Sequence, residues 1–196
     1  NAYVYCCFNN NYKITPEMFD IWMDILRDVP DSVLWLFEGN PDAPGNLRKE
    51  AESRGIASER LIFAKKKPIS EHLARHCLAD VFLDTLPCNA HTTARDALVS
   101  GLPVLTMMGK TFAGRVAASL SQTVESGLIV ASDFEDYKRI AKACHFPTVK
   151  MKPFDAKRFA QDFYLVLSNV QTLRYKKIQR KSTRKSYEFE VLIPSN

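Results

Sequence analysis

Between Asp80 and Thr106 an apolar run (Asp80 to Leu83) gives way to a polar loop, a helix-length segment stopped by Gly101, and a second apolar run opened by Pro103. Two short buried strands joined by a helix form a βαβ unit; parallel strands need such a crossover, where antiparallel ones need only a turn. The unit therefore commits the chain to a parallel sheet. Its helix begins at His91-Thr92-Thr93, and a helix start carries unpaired N–H groups and roughly half a positive charge, which together form an anion site. A phosphate is the first ligand this stretch suggests.

The same alternation extends in both directions. Ala2 to Phe8 is rich in aromatic and β-branched residues and reads as a buried strand. Thr15-Pro16-Glu17 then supplies an N-cap, a proline at the first helical position and an early acid, and Met18, Ile21, Trp22, Ile25 and Leu26 recur at helical spacing as far as Pro30. Further strands are predicted at Ser32 to Phe37, Arg60 to Ala64 and Leu128 to Val130. Further helices are predicted over about Ala43 to Arg54, from a Ser70 cap to Cys77, over Thr111 to Leu120, from Ser132-Asp133 onward, and over Asp155 to Val170. Strands alternating with helices, with runs apolar on both faces, predict an α/β fold: a Rossmann-like, mostly parallel sheet with helices on both faces. Residues 1–172 are assigned to this lobe and 173–196 to a basic C-terminal tail, for which a disordered end is the simplest expectation.

With 196 residues, 46% of them hydrophobic, the chain can bury a sizeable core. Its five cysteines are odd in number and lack metal-ligand spacing, so a disulfide framework is not expected and a reducing, cytoplasmic setting is. No apolar run approaches the ~20 residues that span a bilayer, so no membrane is expected as a partner. The chain lacks an initiator Met and enters a β-rich run within two residues, the pattern expected of a segment cut from something longer. Much of the net charge of +5 sits between Arg174 and Lys185, which reads as a solvated end rather than a nucleic-acid surface.

In sheets of this kind ligands bind beyond the carboxyl ends of the strands. The loops after the first, third and fourth strands bring to that rim Asn10 and Lys13, then Lys67 and His72, then Asn89, His91, Thr92 and Thr93. No GxGxxG and no GxxxxGK[ST] occurs, so neither a dinucleotide fingerprint nor an ATPase phosphate loop is supported. Lys13 is either a compact positive charge beside a diphosphate or a solvated lysine before a helix. The His91-Thr92-Thr93 cluster either holds an anion or simply caps its helix. Asp96, one turn beyond Thr92, either accepts from ribose hydroxyls or pairs with a basic neighbour. His72 and His76 have the i, i+4 spacing of a metal pair, but no glutamate base lies between them and no third ligand follows, so no metal is expected. A flat imidazole can instead stack on a base, and Arg75 reaches from the same turn. Glu71 and Asp84 offer no clear acid/base pair, and Cys88 has no histidine partner.

Several of these runs, in order, carry a resemblance. Phe8 to Ile14, Ser32 to Leu36, Leu78 to Thr85, Cys88 to Thr93 and Arg115 to Ser119 closely resemble the C-terminal catalytic lobe of the O-linked N-acetylglucosamine (O-GlcNAc) transferase family, with a divergence like that of a bacterial member. The resemblance implies the C-terminal lobe of a GT-B glycosyltransferase, with UDP-N-acetylglucosamine as donor, Ser/Thr of proteins as acceptor, and neither metal nor other cofactor. By position it implies that Lys13 assists the leaving UDP and that Asn10, usually glutamine in the animal enzymes, binds the nucleotide. It further implies that His72 stacks on uracil with Arg75 beside it, that the Lys67 backbone reads the base edge, that His91, Thr92 and Thr93 bind the phosphates, and that Asp96 binds the ribose. A ribose-contacting lysine of the family falls at Ile69. The family's N-terminal catalytic lobe and tetratricopeptide array have no counterpart in this sequence. Acceptor recognition is therefore expected to lie in those parts, and this chain alone is expected to bind nucleotide weakly and not to turn over. Two alternatives stay open: the same fold with GDP-fucose or UDP-glucose as donor, and a non-catalytic nucleotide-binding or interaction module.

Overall fold

The computed structural model describes residues 2–153 and 156–182. In chain order, β1 (Tyr3–Cys7) leads to α1 (Pro16–Asp28), β2 (Ser32–Phe37), α2 (Ala43–Ser53), β3 (Leu61–Ala64), α3 (Ile69–Ala74), β4 (Val81–Leu83) and α4 (Thr92–Val99). There follow β5 (Val104–Met107), α5 (Val116–Ser119), β6 (Val124–Ser126), β7 (Leu128–Ala131), α6 (Phe134–Lys142) and β8 (Lys150–Met151). Six strands form one sheet in the order β3-β2-β1-β4-β5-β7, with each neighbouring pair parallel. β6 and β8, not foreseen from the sequence, pair antiparallel beside it.

Local chemistry accounts for the element ends. The Thr15 hydroxyl accepts from the Met18 N–H at 3.2 Å and Pro16 fills the first helical position, which starts α1. The Asp133 carboxylate does the same for α6, accepting from the Asp136 N–H at 2.8 Å. Gly101 closes α4 at φ +83°, a left-handed conformation that costs glycine nothing for want of a Cβ. Tyr5, Cys6 and Cys7 on β1 and Val81, Phe82 and Leu83 on β4 are all buried. Successive strand residues point to opposite faces, so both faces of the central strands are covered, as the uninterrupted apolar runs predicted.

The strand order also positions the site. The first three strands extend the sheet to one side of β1, and β4, β5 and β7 extend it to the other. The carboxyl ends of β1 and β4 therefore flank the point where the winding direction changes, and the loops leaving them part to open a crevice.

Three expectations change. The helix predicted over Thr111 to Leu120 is helical in α-form only over Val116–Ser119. Before it, the Gly109 N–H donates to the Gly114 carbonyl at 2.6 Å and Thr111 Oγ1 accepts from the Gly114 N–H at 3.1 Å, closing a turn with groups a helix would need. Ser70 does not cap α3, which starts one residue earlier with Pro68 at the cap position and no side-chain cap. The last helix, α7 (Ala156–Ser182), runs beyond Val170, through a stretch of good helix formers. It lies in a second unit that begins at Pro153; residues 183–196, the end of the basic tail, lie outside the described residues. Among the described residues no helix is long and apolar enough to cross a membrane.

Candidate active site

The crevice at the ends of β1 and β4 is a cleft of about 680 Å³. Asn10 and Lys13 line it from the loop after β1, Lys67, His72 and Arg75 from the segment after β3, and His91, Thr92 and Thr93 from the start of α4. Residues far apart in sequence thus meet because a parallel sheet sends the loops after its strands to one edge. Asp96 is 5% exposed, has its carboxylate 3.3 Å from Arg95 Nη1, and does not line the cleft.

At the phosphate-sized end, Lys13 closes a short 3-10 turn (Asn11–Lys13), and its Nζ donates to the Asn89 carbonyl at 2.7 Å. Among the described residues no carboxylate pairs with it. An ammonium has three donors, so two remain for a ligand, together with the full charge. Opposite, His91 holds the N-cap position of α4 without a side-chain cap bond, at φ −107° and ψ −93°. Capping by threonine, the plain alternative for this cluster, is therefore not what the hydroxyls do: Thr93 Oγ1 donates instead to Asn9 Oδ1 at 2.6 Å. The first N–H groups of α4 are left without side-chain acceptors, the condition for an anion site.

Two residues given no site role in the sequence hold this end together. Asn9, buried at the end of β1, donates through Nδ2 to Thr85 Oγ1 at 2.8 Å and reaches Asp84 Oδ1 at 3.4 Å. Asp84, just after β4, accepts from the N–H groups of Thr85 (2.7 Å) and Ala90 (2.5 Å) and from the Thr106 hydroxyl (2.6 Å). Burial pushes its pKa up to about 6, against the pull of these hydrogen bonds. The only local signal was a polar residue directly after each apolar strand. The loop 108–115 closes from the far side: the Asn89 N–H donates to Ala113 O at 2.9 Å, and a Cβ on Gly114 would stand 2.7 Å from the Pro87 carbonyl.

At the other end, the Arg75 guanidinium carbon lies 4.4 Å from the centre of the Phe8 ring, with Nη1 donating to Lys65 O at 3.0 Å and Nη2 to His72 Nδ1. That bond assigns the His72 proton to Nε2. Burial, then the charges of Arg75 and His76, lowers the His72 pKa, so the ring is neutral at pH 7. His76 is buried with Nδ1 on the His72 carbonyl at 2.8 Å, and burial lowers its pKa too. The two histidines meet edge to face, 4.8 Å between ring centres, in a packed cluster and not in the chelating geometry their spacing allows. Among the described residues no three His, Cys, Asp or Glu side chains converge to hold a metal ion. Lys67 pairs through its side chain with Glu71 at 3.0 Å and lines the cleft. Chemically the cleft offers, among the described residues, a cation without a carboxylate partner and a helix start at one end, and a neutral imidazole edge-on to Phe8 and bonded to the Arg75 guanidinium at the other.

The comparisons with known proteins agree on one family. The profile of Glycosyl transferase family 41 matches residues 1–176. The UDP-N-acetylglucosamine–peptide N-acetylglucosaminyltransferase of Caenorhabditis elegans is 36% identical over 176 residues, 83% of this chain and 15% of that protein. The probable UDP-N-acetylglucosamine–peptide N-acetylglucosaminyltransferase SEC of Arabidopsis thaliana is 39% identical over 143 residues, 72% of this chain and 14% of that protein. A structure of an O-GlcNAc transferase mutant of Thermobaculum terrenum superposes with a TM-score of 0.68 at 37% identity, covering 73% of this chain and 28% of that one. The chain thus spans about 15% of the length of the curated relatives. With its sheet matching one lobe of a GT-B glycosyltransferase and the family profile running from the first strand into the last helix, the chain belongs to glycosyl transferase family 41.

Proposed function

We propose that this chain is the donor-binding half of a protein O-glycosyltransferase that moves N-acetylglucosamine from UDP-N-acetylglucosamine to Ser and Thr hydroxyls of proteins. The observation that carries the reading is Lys13, an ammonium with no carboxylate partner among the described residues, on the same cleft as the uncapped start of α4. A diphosphate supplies the negative charge that both positive ends call for.

In the transfer, the bond between the sugar C1 and the β-phosphate oxygen breaks as the acceptor oxygen bonds to C1 from the opposite face, and negative charge grows on the departing diphosphate. Lys13 and the α4 amides stabilise that charge more as it develops than in the bound donor, which is what lowers a barrier. With these groups meeting the charge, no metal is required. His91 and Thr92 reach the phosphates and Asn10 the nucleotide. His72, kept neutral, stacks on uracil with Arg75 beside it, and the Lys67 backbone reads the base edge. Thr93, its proton engaged by Asn9, holds the α4 start in place and keeps lone pairs only. The ribose role of Asp96 rests on the family resemblance alone, since Asp96 does not line the cleft. Acceptor binding, and the group that takes the acceptor's proton, are assigned to parts of the enzyme beyond this segment. Five free cysteines support a reducing, cytoplasmic setting.

Calorimetry with UDP, GDP and UDP-N-acetylglucosamine tests the reading. UDP and its sugar bind, GDP binds more weakly, and Lys13→Ala or Thr92→Ala costs about tenfold or more in UDP affinity, the scale of a hydrogen bond to a charged group. A preference for GDP would move the donor to GDP-fucose; absence of nucleotide binding would leave only an interaction module. Peptide glycosylation by the chain alone, at a rate near that of a full-length relative, would overturn its being half of an active site.

A further inference from the structure

We propose that Asn9 is a positioning residue for the phosphate end of the cleft: its carboxamide, bridging Thr85 and Thr93, sets the start of α4 against the loop after β1. The inference rests on the donor-binding reading above and adds to it a residue that lines the cleft yet acts through the groups it holds.

The bridge has a direction. Thr85 Oγ1 donates to the Cys88 carbonyl at 2.7 Å, so towards Asn9 it can only accept, and Asn9 Nδ2 supplies the donor at 2.8 Å. Thr93 Oγ1 donates to Asn9 Oδ1 at 2.6 Å. The chain of bonds Thr93, Asn9, Thr85, Cys88 carbonyl therefore runs one way and fixes which end of the amide faces which partner. It ties the first turn of α4, the end of β1 and the loop after β4 to one another, and Asn9 is only 2% exposed. Along the chain Asn9 stands between Phe8, which supports Arg75 and His72, and the Asn10 to Lys13 turn. Lys13 and the α4 amides converge on one phosphate only if these loops keep their spacing, and misplacement by about 1 Å is enough to lose much of such an interaction.

A carboxylic acid in place of the amide gives a test that a general loss of packing does not mimic. Protonated, it donates to Thr85 and accepts from Thr93 as the amide does. Ionised, it cannot donate, and it faces Asp84 Oδ1, which lies 3.4 Å from Asn9 Nδ2. The other titratable or charged groups nearby include Cys7 on β1, Lys13 after it, His72 and Arg75 on and after α3, His91 and Asp96 at the head of and on α4, and Tyr137 on α6, whose hydroxyl donates to the Asp84 carbonyl at 2.9 Å.

The experiment measures UDP affinity of the whole chain by calorimetry at about pH 8 and about pH 5.5, each variant as a ratio to the unmutated chain at the same pH, with thermal unfolding to verify folding. Asn9→Asp is expected to bind roughly tenfold more weakly at the higher pH and to recover to within about threefold at the lower, as the two neighbouring carboxyls come to share a proton. Asn9→Ala shows the loss without the recovery, and Asn9→Ala combined with Thr93→Val costs less than the sum of the two, because both break the same bridge. A pH-independent ratio for Asn9→Asp, or additive losses, overturns the inference. Thr93→Val keeps the side-chain shape and serves if position 9 variants do not fold: full UDP affinity there also overturns it. No UDP binding by the unmutated chain removes the donor-binding reading and this inference with it, whereas UDP binding that the variants leave untouched removes only the role of Asn9.

Discussion

Replacing Asp84 by asparagine probes the buried carboxylate that organises the cleft loop. The side chain keeps its shape: the amide oxygen takes over the bonds from the Thr85 and Ala90 N–H groups, and the amide nitrogen faces the Thr106 hydroxyl, which rotates to accept. What changes is titration. The Asp84 carboxyl is lifted from 3.8 to about 6 in the folded protein, first by burial, against its hydrogen bonds. Because the folded-state value is raised, the folded chain binds the proton more tightly than the unfolded one. The stability this contributes is fully present below about pH 3.8 and is lost as the pH rises through about 6. At ~1.4 kcal/mol per pH unit the whole span is worth about 3 kcal/mol, of which about 2 is regained on acidification from pH 7.5 to 4.5.

The assay is urea unfolding followed by the fluorescence of Trp22 and Trp35, on the unmutated chain and Asp84→Asn across that pH range. The difference between the two is the quantity to read, since ion-paired carboxylates such as Asp28 and Asp136, whose pKa values are lowered by Lys142 and by Ser132 with Arg139, lose stability in acid in both proteins and cancel. The unmutated chain should gain on the variant by about 2 kcal/mol on acidification. A difference that stays flat would mean that the hydrogen bonds outweigh burial and that Asp84 is ionised throughout; a difference of opposite sign would refute the reasoning outright.

Further outcomes follow from the same geometry. Gly39→Ala places a Cβ 2.6 Å from Asn11 Oδ1 and 2.9 Å from Asn10 Oδ1; calorimetry should find UDP affinity down several-fold with a stability loss of only about 1 kcal/mol in urea, because flexible side chains can move aside. Gly114→Ala meets the Pro87 carbonyl, which is backbone, and should cost about 1–3 kcal/mol in the same unfolding assay. Phe8→Leu removes the ring beneath Arg75 and its edge contact with Trp35, 5.1 Å between centres, and should destabilise by about 1–2 kcal/mol. Two-dimensional NMR titration should place both His72 and His76 below the ordinary 6.5, with the His72 proton on Nε2; a pKa above that value would refute the packed, neutral cluster.

The layers of this fold were legible because β1 and β4 are short runs apolar at consecutive positions, a pattern that fits a doubly covered sheet once helical segments alternate with them, and because Thr15-Pro16 announces α1. The rim was legible for a related reason: once strands and helices alternate, the loops after β1, β3 and β4 must share an edge, whatever they contain. Charged and hydroxyl residues in those loops then stood out. Asn9 did not, since its effect lies in bonds to Thr85 and Thr93, 76 and 84 residues away in the chain, and Asp84 did not, since nothing in the sequence shows that its carboxylate is buried on the N–H groups of its own loop and the Thr106 hydroxyl. The segment before Arg115 misled for the opposite reason. Phe112, Val116 and Leu120 have helical spacing, yet Gly109 and Gly114 let two stretches of backbone approach closely enough to close a turn that the spacing alone does not reveal.

The same bonds explain how a cleft can carry an ammonium with no acid beside it. The acid belonging to this loop, Asp84, is turned into the interior, where two backbone N–H groups, the Thr106 hydroxyl and the Asn9 amide receive it. Lys13 lines the cleft and, among the described residues, its Nζ meets the Asn89 carbonyl and no carboxylate. An aspartate at the surface of this loop would neutralise Lys13 and make the site self-satisfied; one held behind the loop supports its backbone and leaves the charge in front uncompensated. The helix start of α4 adds to that charge because no side chain caps it, while Thr93 ties its first turn to Asn9. The uncompensated positive charge of the cleft therefore depends as much on where its acid is hidden as on where its cations are placed. That is why residues with no direct share in the chemistry, Asn9 and Asp84, are the ones whose replacement most sharply tests the site.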